Sequence, residues 1–438
     1  MLLNMAEAYA WIGSLRRFGI KPGLERVRHA LSNLGNPERN LRFYHVAGTN
    51  GKGSVCQMLA NLLVASGRRT GLYTSPGLGG FNGRMSIDGE PISAEAFAEY
   101  ATRVRSVTET QMKDPLTEFE VLTIISLLYF RDAGVDAVVW ETGLGGRYDA
   151  TNVVHPVVTA ITNVTYDHVE ILGPTIVDIA SDKAGIIKSG IPVVTAAVED
   201  AYRVIERVAK SQRAPLIRIG CDAMFVTTGT HGSGQIGAYR GLFRDAFGVK
   251  LGLFGEHQAA NAGVALAMYE LGEGPTSQAN WHRTLASLAS VRWPLRFEVF
   301  RDGERPVVID GAHNPDAALQ LAKSLVKFNR SMALCGWKMV VGVFADKDFR
   351  QMLPHVLPLA AEVIVCKPNH PRGAEPQIIA EEMRRLRPEL KVTVEPDIDA
   401  AVRMALQSDS LPVVIWGNLH MAETARKTIT TLGLDYWM

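Results

Sequence analysis

The chain has 438 residues, 47% of them hydrophobic and 21% charged, with a formal net charge of +1. That length exceeds one ordinary core and predicts two domains, while the near-neutral charge argues against a nucleic-acid or anionic-membrane partner. No apolar run is long enough to span a bilayer, and the four scattered cysteines (Cys56, Cys221, Cys335, Cys366) lack zinc spacing and read as plain buried thiols in a reducing compartment.

The first stretch, MLLNMAEAYAWIGSLRR, carries Glu7 inside its apolar run and its basic pair after it. That is the wrong order for a secretory leader, so a cytoplasmic protein is expected. Short β-branched or aromatic runs then alternate with helical periods. Strands are predicted at 43–46, 70–74, 137–140, 157–162 and 193–195, and helices at 54–65, 118–131 and 176–188. This alternation predicts an α/β fold whose mostly parallel sheet has helices on both faces. Residues 221–256, with TTGTHGSGQIGAYRGLF, break the rhythm and read as a small β element or a peripheral loop. Helices are predicted next at 257–271 and 277–290. After RWPLRFEVF a second alternation begins, with strands near 307–310, 339–343, 363–366, 392–394 and 413–416. That series runs for about 140 residues, the size of a small independent domain. A boundary at 293–296 divides the chain into 1–295 and 296–438.

In YHVAGTNGKGSVCQML an apolar run meets a glycine-rich turn and then a helical pattern. Gly48, Gly51 and Gly53 let backbone N–H groups approach an anion. Lys52 adds a point charge, Ser54 a hydroxyl, and the helix N-terminus favours phosphate. Only two residues separate the first two glycines, and Gly53 stands between lysine and serine, so the spacing departs from the usual Walker A loop. Strand before, helix after and lysine at the helix start make phosphate binding the reading.

That variant loop, HVAGTNGKGS, resembles the nucleotide loop of the folylpolyglutamate synthase and dihydrofolate synthase family of the Mur ligase superfamily. FGIKPGLERV, GLYTSPGL, ETGLGGRYDATNVV, DHVEILGPTIVDIASDKAGIIKSG, GEHQAANAGVALAM, WPLRFEV, VIDGAHNPDAA and FADKD resemble family segments in family order, from about residue 18 to residue 348. The resemblance implies an N-terminal P-loop ATP-binding domain and a smaller, Rossmann-like C-terminal ligase domain.

It also implies residue roles. Gly48, Thr49, Asn50, Gly51, Lys52, Gly53 and Ser54 would hold ATP phosphates, with Asn261 at adenine, Arg296 on phosphate and Asp310 at ribose. Arg296 on its own reads as a strand-surface arginine, although a guanidinium suits phosphate oxygens. Ser75, Glu141 and His168 would bind Mg²⁺. Glu141 alone reads as a strand-end carboxylate facing water, and a lone histidine after aspartate as structural. Lys183, beside Asp182, reads as solvated or ion-paired; the resemblance implies a carbamate on it that would add a metal ligand. Lys52, Lys183 and His313 are the implied catalytic groups. Thr117 with Glu120 reads as a capping box, and resemblance adds that Thr117, Phe119, Glu120, Tyr148, Asp149 and Ala150 border a pterin pocket. Asn314 before Pro315 reads as a helix cap, in a turn that the family uses for ATP and the incoming amino acid.

The implied reaction makes an acyl phosphate from a pterin or folate carboxylate and ATP, then an amide with an amino acid, usually glutamate. The second domain would close over the intermediate. A monomer is expected. Three departures bear on the substrates: Gly77 stands at a usual histidine, Gly83 at a usual glutamate, and WGNLHMAE puts Asn418 at a serine associated with amino-acid binding and His420 at a tyrosine. The competing readings are a paralogue acting on another pterin or polyglutamylated cofactor, and an ATP-binding regulatory protein without ligase activity. A GTPase switch is disfavoured because no N-K-x-D-type segment is present.

Overall fold

The computed structural model describes residues 2–275, 277–332, 334, 336–407 and 411–437. The chain divides into two compact units. One reaches to Val226 and adds Ala238–Val249 and Ala260–Leu288; the other comprises Thr227–Gly237, Lys250–Ala259 and the chain from Ala289 onward.

The first unit is built on strands β1 (Phe43–Ala47), β2 (Thr70–Tyr73), β3 (Met85–Ile87), β4 (Glu90–Pro91), β5 (Ala137–Glu141), β6 (Pro156–Ile161), β7 (Val193–Thr195) and β8 (Leu216–Arg218). Their order is β4-β3-β2-β5-β1-β6-β7-β8. From β2 to β8 the ladder is parallel; β3 and β4 add an antiparallel edge. Every residue of β1 and β5 is buried, as expected of strands covered on both faces. The order reverses around β1, since β5 lies on one side of it and β6 on the other. The crevice beyond the carboxyl ends of those three strands is where open α/β sheets hold ligands.

Local chemistry sets the helices. Asn4 and Glu7 form a capping box for α1 (Met5–Ser14), and Thr117 with Glu120 does so for α5 (Glu118–Ala133). Ser93 caps α4 (Ala94–Gln111). Between these lie α2 (Glu25–Asn33) and α3 (Lys52–Ala65). Trp140, Tyr73 and Phe43 interlock in the core beneath α5, with Tyr73 and Trp140 ring centroids 4.6 Å apart. The predicted helix over 176–188 is shorter: Ile176–Lys183 is α-helical, and a 3₁₀ turn, Ala184–Ile186, follows. Gly185 packs there so closely that a Cβ would lie 2.5 Å from the Arg147 side chain.

The irregular region is a three-stranded sheet of β9 (Met224–His231), β10 (Gly234–Arg240) and β11 (Ala246–Leu251). The larger sheet of the second unit contains β12 (Glu298–Asp302), β13 (Arg305–Ile309), β14 (Trp337–Val341), β15 (Ala360–Val365), β16 (Lys391–Val394), β17 (Val413–Trp416) and β18 (Asp435–Tyr436), in the order β16-β15-β14-β17-β13-β12-β18. The five strands from β16 to β13 are parallel, and β12 and β18 form an antiparallel edge. Among the described residues no helix is long and apolar enough to cross a membrane. Cys56 and Cys366 are buried as expected. Cys221 is exposed, correcting that expectation, because it sits in the tight turn after β8; Cys335 lies outside the described residues.

Candidate active site

The glycine-rich turn joins β1 to α3, with Gly48 at φ 150° and Gly51 at φ 83°. A Cβ on Gly48 would lie 1.9 Å from Thr162 Oγ1, and one on Gly51 2.4 Å from Asn261 Oδ1. Both positions therefore demand glycine for conformation and for space. The turn is moored to the segment after β6. Thr49 N–H donates to Asn163 O (3.0 Å), Asn50 N–H to Asn163 Oδ1 (2.8 Å), and Thr162 Oγ1 to Asn50 O (2.6 Å). Thr49 Oγ1 also accepts from Thr165 N–H at 3.1 Å. Sequence reasoning passed over Thr162, Asn163 and Thr165; the signal was TNVT, a polar cluster immediately after a buried parallel strand.

Two amines converge on one carbonyl of this turn. Lys52 Nζ lies 3.1 Å and Lys183 Nζ 2.9 Å from Gly48 O. Contrary to the solvated or ion-paired reading, Lys183 is only 3% exposed. Burial, then the nearby Lys52 charge, lowers its pKa to about 7, with Asp182, Asp167 and Asp149 opposing. Asp182 instead accepts from Gly146 N–H at 2.8 Å, docking the GLGGR loop onto the helix Ile176–Lys183. Ser54 is buried in the first turn of α3, and Asn261 lies beside Gly51 in the helix Glu256–Glu273.

Glu141 closes β5 next to this turn, its backbone in register with Val46 of β1. Its carboxylate is 3% exposed and accepts from Ser75 N–H at 3.1 Å, while Ser75 Oγ lies 3.5 Å from Thr142 O. Ser75 precedes a cis proline, Pro76. A buried carboxylate and a hydroxyl at one strand edge are hard oxygen donors, the chemistry Mg²⁺ takes when waters and substrate phosphates complete its shell. Among the described residues no three His, Cys, Asp or Glu side chains gather as a self-sufficient metal cluster, which a magnesium site of this kind does not need. His168 is more exposed (side chain 44%), in a left-handed conformation beside Asp167.

Of the predicted pterin residues, Thr117, Glu120, Asp149 and Ala150 are buried, Phe119 is half-buried and Tyr148 is exposed. Thr117 and Glu120 complete the capping box, and Glu120 also pairs with Arg26 (Nη2–Oε1 2.9 Å). Phe119 packs on Gly143, where a Cβ would lie 2.5 Å from the ring, and beside Tyr73 and the Arg84 guanidinium, 5.9 Å from the ring centre. Asp149 accepts from the N–H groups of Gly143, Leu144 and Thr151 and from the Thr151 hydroxyl. Burial still raises its pKa. Ala150 is buried, whereas Tyr148 is 55% exposed. The glycines at 77 and 83 are sterically required: a Cβ on Gly77 would lie 2.7 Å from Arg84 N, and one on Gly83 1.9 Å from Leu78 O.

The remaining residues belong to the second unit. Asp310 follows β13 and accepts from the N–H groups of Phe297 and Ala312, both at 2.8 Å. Burial raises its pKa against the opposing pull of Arg296. His313 Nδ1 lies 2.8 Å from Gly311 O, so this nitrogen donates and a neutral ring keeps its lone pair on Nε2. Asn314 caps the helix Pro315–Met332 through Ala317 N–H. Asn418 is 2% exposed with both ends of its amide engaged: Oδ1 accepts from Met421 N–H and Nδ2 donates to Gly342 O.

These features agree with what the chain resembles. Residues 46–269 match the Mur ligase middle domain, and residues 295–416 the Mur ligase glutamate ligase domain. The folylpolyglutamate synthase of Lacticaseibacillus casei is 35% identical, over 98% of this chain and 99% of its own length. A probable bifunctional folylpolyglutamate synthase/dihydropteroate synthase of Haloferax volcanii is 36% identical over 97% of this chain, which spans only 50% of that protein. Mycobacterium tuberculosis folylpolyglutamate synthase complexed with ADP and AMPPCP superposes with a TM-score of 0.88, at 31% identity, over 99% of this chain and 100% of that one. Loop, buried lysine and both matched domains together place the chain in the folylpolyglutamate synthase/dihydrofolate synthase family of Mur ligases, which are ATP-dependent carbon–nitrogen ligases.

Proposed function

We propose that this protein activates a pterin or folate carboxylate with ATP and joins it to the amino group of L-glutamate, releasing ADP and phosphate. The observation that carries the reading is the paired approach of Lys52 and Lys183 to the Gly48 carbonyl, in a turn that admits no side chain at 48 or 51. In this reading residues 1–295 form the ATP-binding domain and residues 296–438 the ligase domain.

The acceptor carboxylate oxygen attacks the γ-phosphorus, the bond to the β-phosphate oxygen breaks, and an acyl phosphate and ADP result. The amine then adds to the acyl carbon and phosphate leaves. Backbone N–H groups of Gly51 to Ser54 would cradle the phosphates, those of Thr49 and Asn50 being given to Asn163, and Lys52 would stabilise charge on the migrating group. Ser75, Glu141 and His168 would hold Mg²⁺, whose chemistry is to neutralise phosphate charge during transfer. Lys183, held to about 7 by its burial, is neutral often enough at physiological pH to react with CO₂; the carbamate would replace a cation by an anionic oxygen donor. Asn261, Arg296 and Asp310 would contact adenine, phosphate and ribose. The Nε2 lone pair of His313 could take the proton lost by the attacking ammonium. Thr117, Phe119, Glu120, Tyr148, Asp149 and Ala150 would surround the acceptor, with Thr117, Glu120 and Asp149 acting through the backbone they fix.

A second reading, a related acceptor, is favoured by the glycine-tight loop at 77–83. The deciding experiment measures ADP release with Mg²⁺-ATP, pairing dihydropteroate, tetrahydrofolate and other pterins with glutamate, aspartate and glycine, and weighs the products. Turnover with a folate acceptor and glutamate supports the first reading; turnover only with another pair supports the second. ATP binding without ligation by any pair would overturn both in favour of a regulatory role.

A further inference from the structure

The turn that carries Arg296 has a strained backbone. Among the described residues, the large apolar side chains at positive φ are Leu295 (63°) and Phe297 (45°), one on each side of Arg296. Left-handed backbone is unfavourable for side chains of this size and persists only where the surroundings over-determine it. Several contacts fix each flanking residue here. The Leu295 side chain is fully buried, its N–H donates to Glu298 Oε2 at 3.0 Å and its carbonyl accepts from Gly311 N–H at 2.8 Å. Phe297 stacks on Phe254 with ring centres 4.9 Å apart, and its N–H donates to Asp310 Oδ2 at 2.8 Å. Arg296 stays half-buried between them, and a Cβ on Gly311 would lie 3.2 Å from its Nη1.

Asp310 belongs to the site described above. Glu298 does not, and its carboxylate is the centre of a separate network. It opens β12, is buried, and faces Arg426 Nε, which lies 2.9 Å from Oε1 and 3.0 Å from Oε2. Tyr436 Oη donates to Oε1 at 2.6 Å, and the Arg426 guanidinium in turn donates to Tyr436 Oη. Arg426 lies in the helix Leu419–Thr431 and Tyr436 in β18, whose pairing with β12 sets Tyr436 opposite Phe300. Those two rings stack at 4.6 Å, and Trp437 N–H donates to Val299 O at 3.0 Å. The charge-assisted pair and the tyrosine hold the carboxylate in one orientation, with Oε2 on the Leu295 amide.

We propose that Glu298 is the positioning residue for Arg296, and that Arg426 and Tyr436 hold it to that task. By capturing the Leu295 N–H it keeps the turn on its left-handed path, which fixes where the Arg296 guanidinium stands. The inference rests on the reading of Arg296 as a phosphate contact. Without the carboxylate the Leu295 amide loses its acceptor, the turn relaxes toward negative φ, and Arg296 moves with its own peptide. The helix Leu419–Thr431 and β18 thereby enter the handling of ATP through Arg426 and Tyr436, two residues that touch no substrate in this scheme.

The test is a double-mutant cycle read as KM for ATP, from ADP release with acceptor and amino acid saturating. Arg296→Ala should raise it about tenfold or more, and Glu298→Ala, which frees the Leu295 amide, about tenfold. Added to Arg296→Ala, Glu298→Ala should change it by less than about twofold, because a displaced guanidinium and an absent one are equivalent. KM for the acceptor and for glutamate should stay within about twofold of the parent throughout. A Glu298→Ala that leaves KM for ATP unchanged, raises all three constants alike, or acts as strongly without Arg296 as with it overturns the assignment and leaves the phosphate reading standing. If Glu298→Ala does not fold, Tyr436→Phe, which keeps its ring on Phe300, carries the same cycle with an expected rise of about threefold. Arg296→Ala with an unchanged KM for ATP would refute the phosphate reading itself, and the inference with it.

Discussion

Replacing Gly48 by alanine tests how tightly the phosphate loop is built. The new Cβ would start 1.9 Å from Thr162 Oγ1 and must part by about 1.5 Å to reach an ordinary 3.4 Å contact. Thr162 cannot retreat freely, because its hydroxyl holds Asn50 O at 2.6 Å. The alanine must also hold φ near 150°, at a cost of about 1–3 kcal/mol. Losing the Thr162–Asn50 bond adds about 0.5–1.5 kcal/mol. The loop should yield instead, moving the Gly48 carbonyl away from Lys52 and Lys183. A displacement of that size is expected to lower kcat/KM for ATP about 100-fold, read as ADP release under saturating acceptor and amino acid. Adding Thr162→Ala removes the closest atom and leaves contacts at 3.1 and 3.2 Å, so the double variant should recover about tenfold over Gly48→Ala. If Gly48→Ala keeps kcat/KM within twofold of the parent, or the second substitution rescues nothing, the steric argument is wrong.

Lys52→Ala should cut turnover by about 10²–10³-fold or more with an unchanged circular dichroism spectrum; unaltered ADP release would remove Lys52 from the chemistry. Arg26→Leu strands the buried Glu120 carboxylate and should cost about 3–5 kcal/mol in urea unfolding, against almost nothing for the exposed pair Arg203–Asp200. His45 Nε2 donates to Thr151 Oγ1 and Nδ1 finds no partner, and burial lowers its pKa to about 3. The unfolded chain therefore binds a proton below about 6.5 that the folded one refuses, so stability should fall by a few kcal/mol as pH drops from 6.5 to 3. His45→Gln, which can still donate to Thr151, should flatten that part of the unfolding-versus-pH curve.

Most parallel strands were legible because each is a short, mostly apolar run between turn residues, and β7 and β17 have the predicted limits; the three-residue β8, Leu216–Arg218, went unassigned. The edges were harder. β3 and β4 are three and two residues long, too brief for a period to emerge, and α1, α2 and α4 went unassigned although α1 opens on a capping box. Lys183 marks the limit at the site. Its neighbour Asp182 suggested an ion pair, but the backbone of the GLGGR loop claims that carboxylate and leaves the lysine buried against Gly48 O. Only tertiary packing decides which face of a short helix is enclosed. The capping signal at Thr117 and Glu120 was readable; the second use of Glu120, by Arg26 from 94 residues away, was not.

The glycine loop at 77–83 also constrains how this sequence can change. Restoring the glutamate usual in the family at position 83 would drive a Cβ to 1.9 Å from Leu78 O, and a side chain at 77 would meet the backbone of Arg84. Neither reversion fits while the chain follows its present path, so the first step back meets a steric barrier before it gains any contact with substrate. Substitutions here are order-dependent: the path of the backbone has to change before the family-type side chains are tolerated. A library that varies these positions singly would therefore record two invariant glycines, whereas one that varies the whole loop together could reach a different acceptor preference.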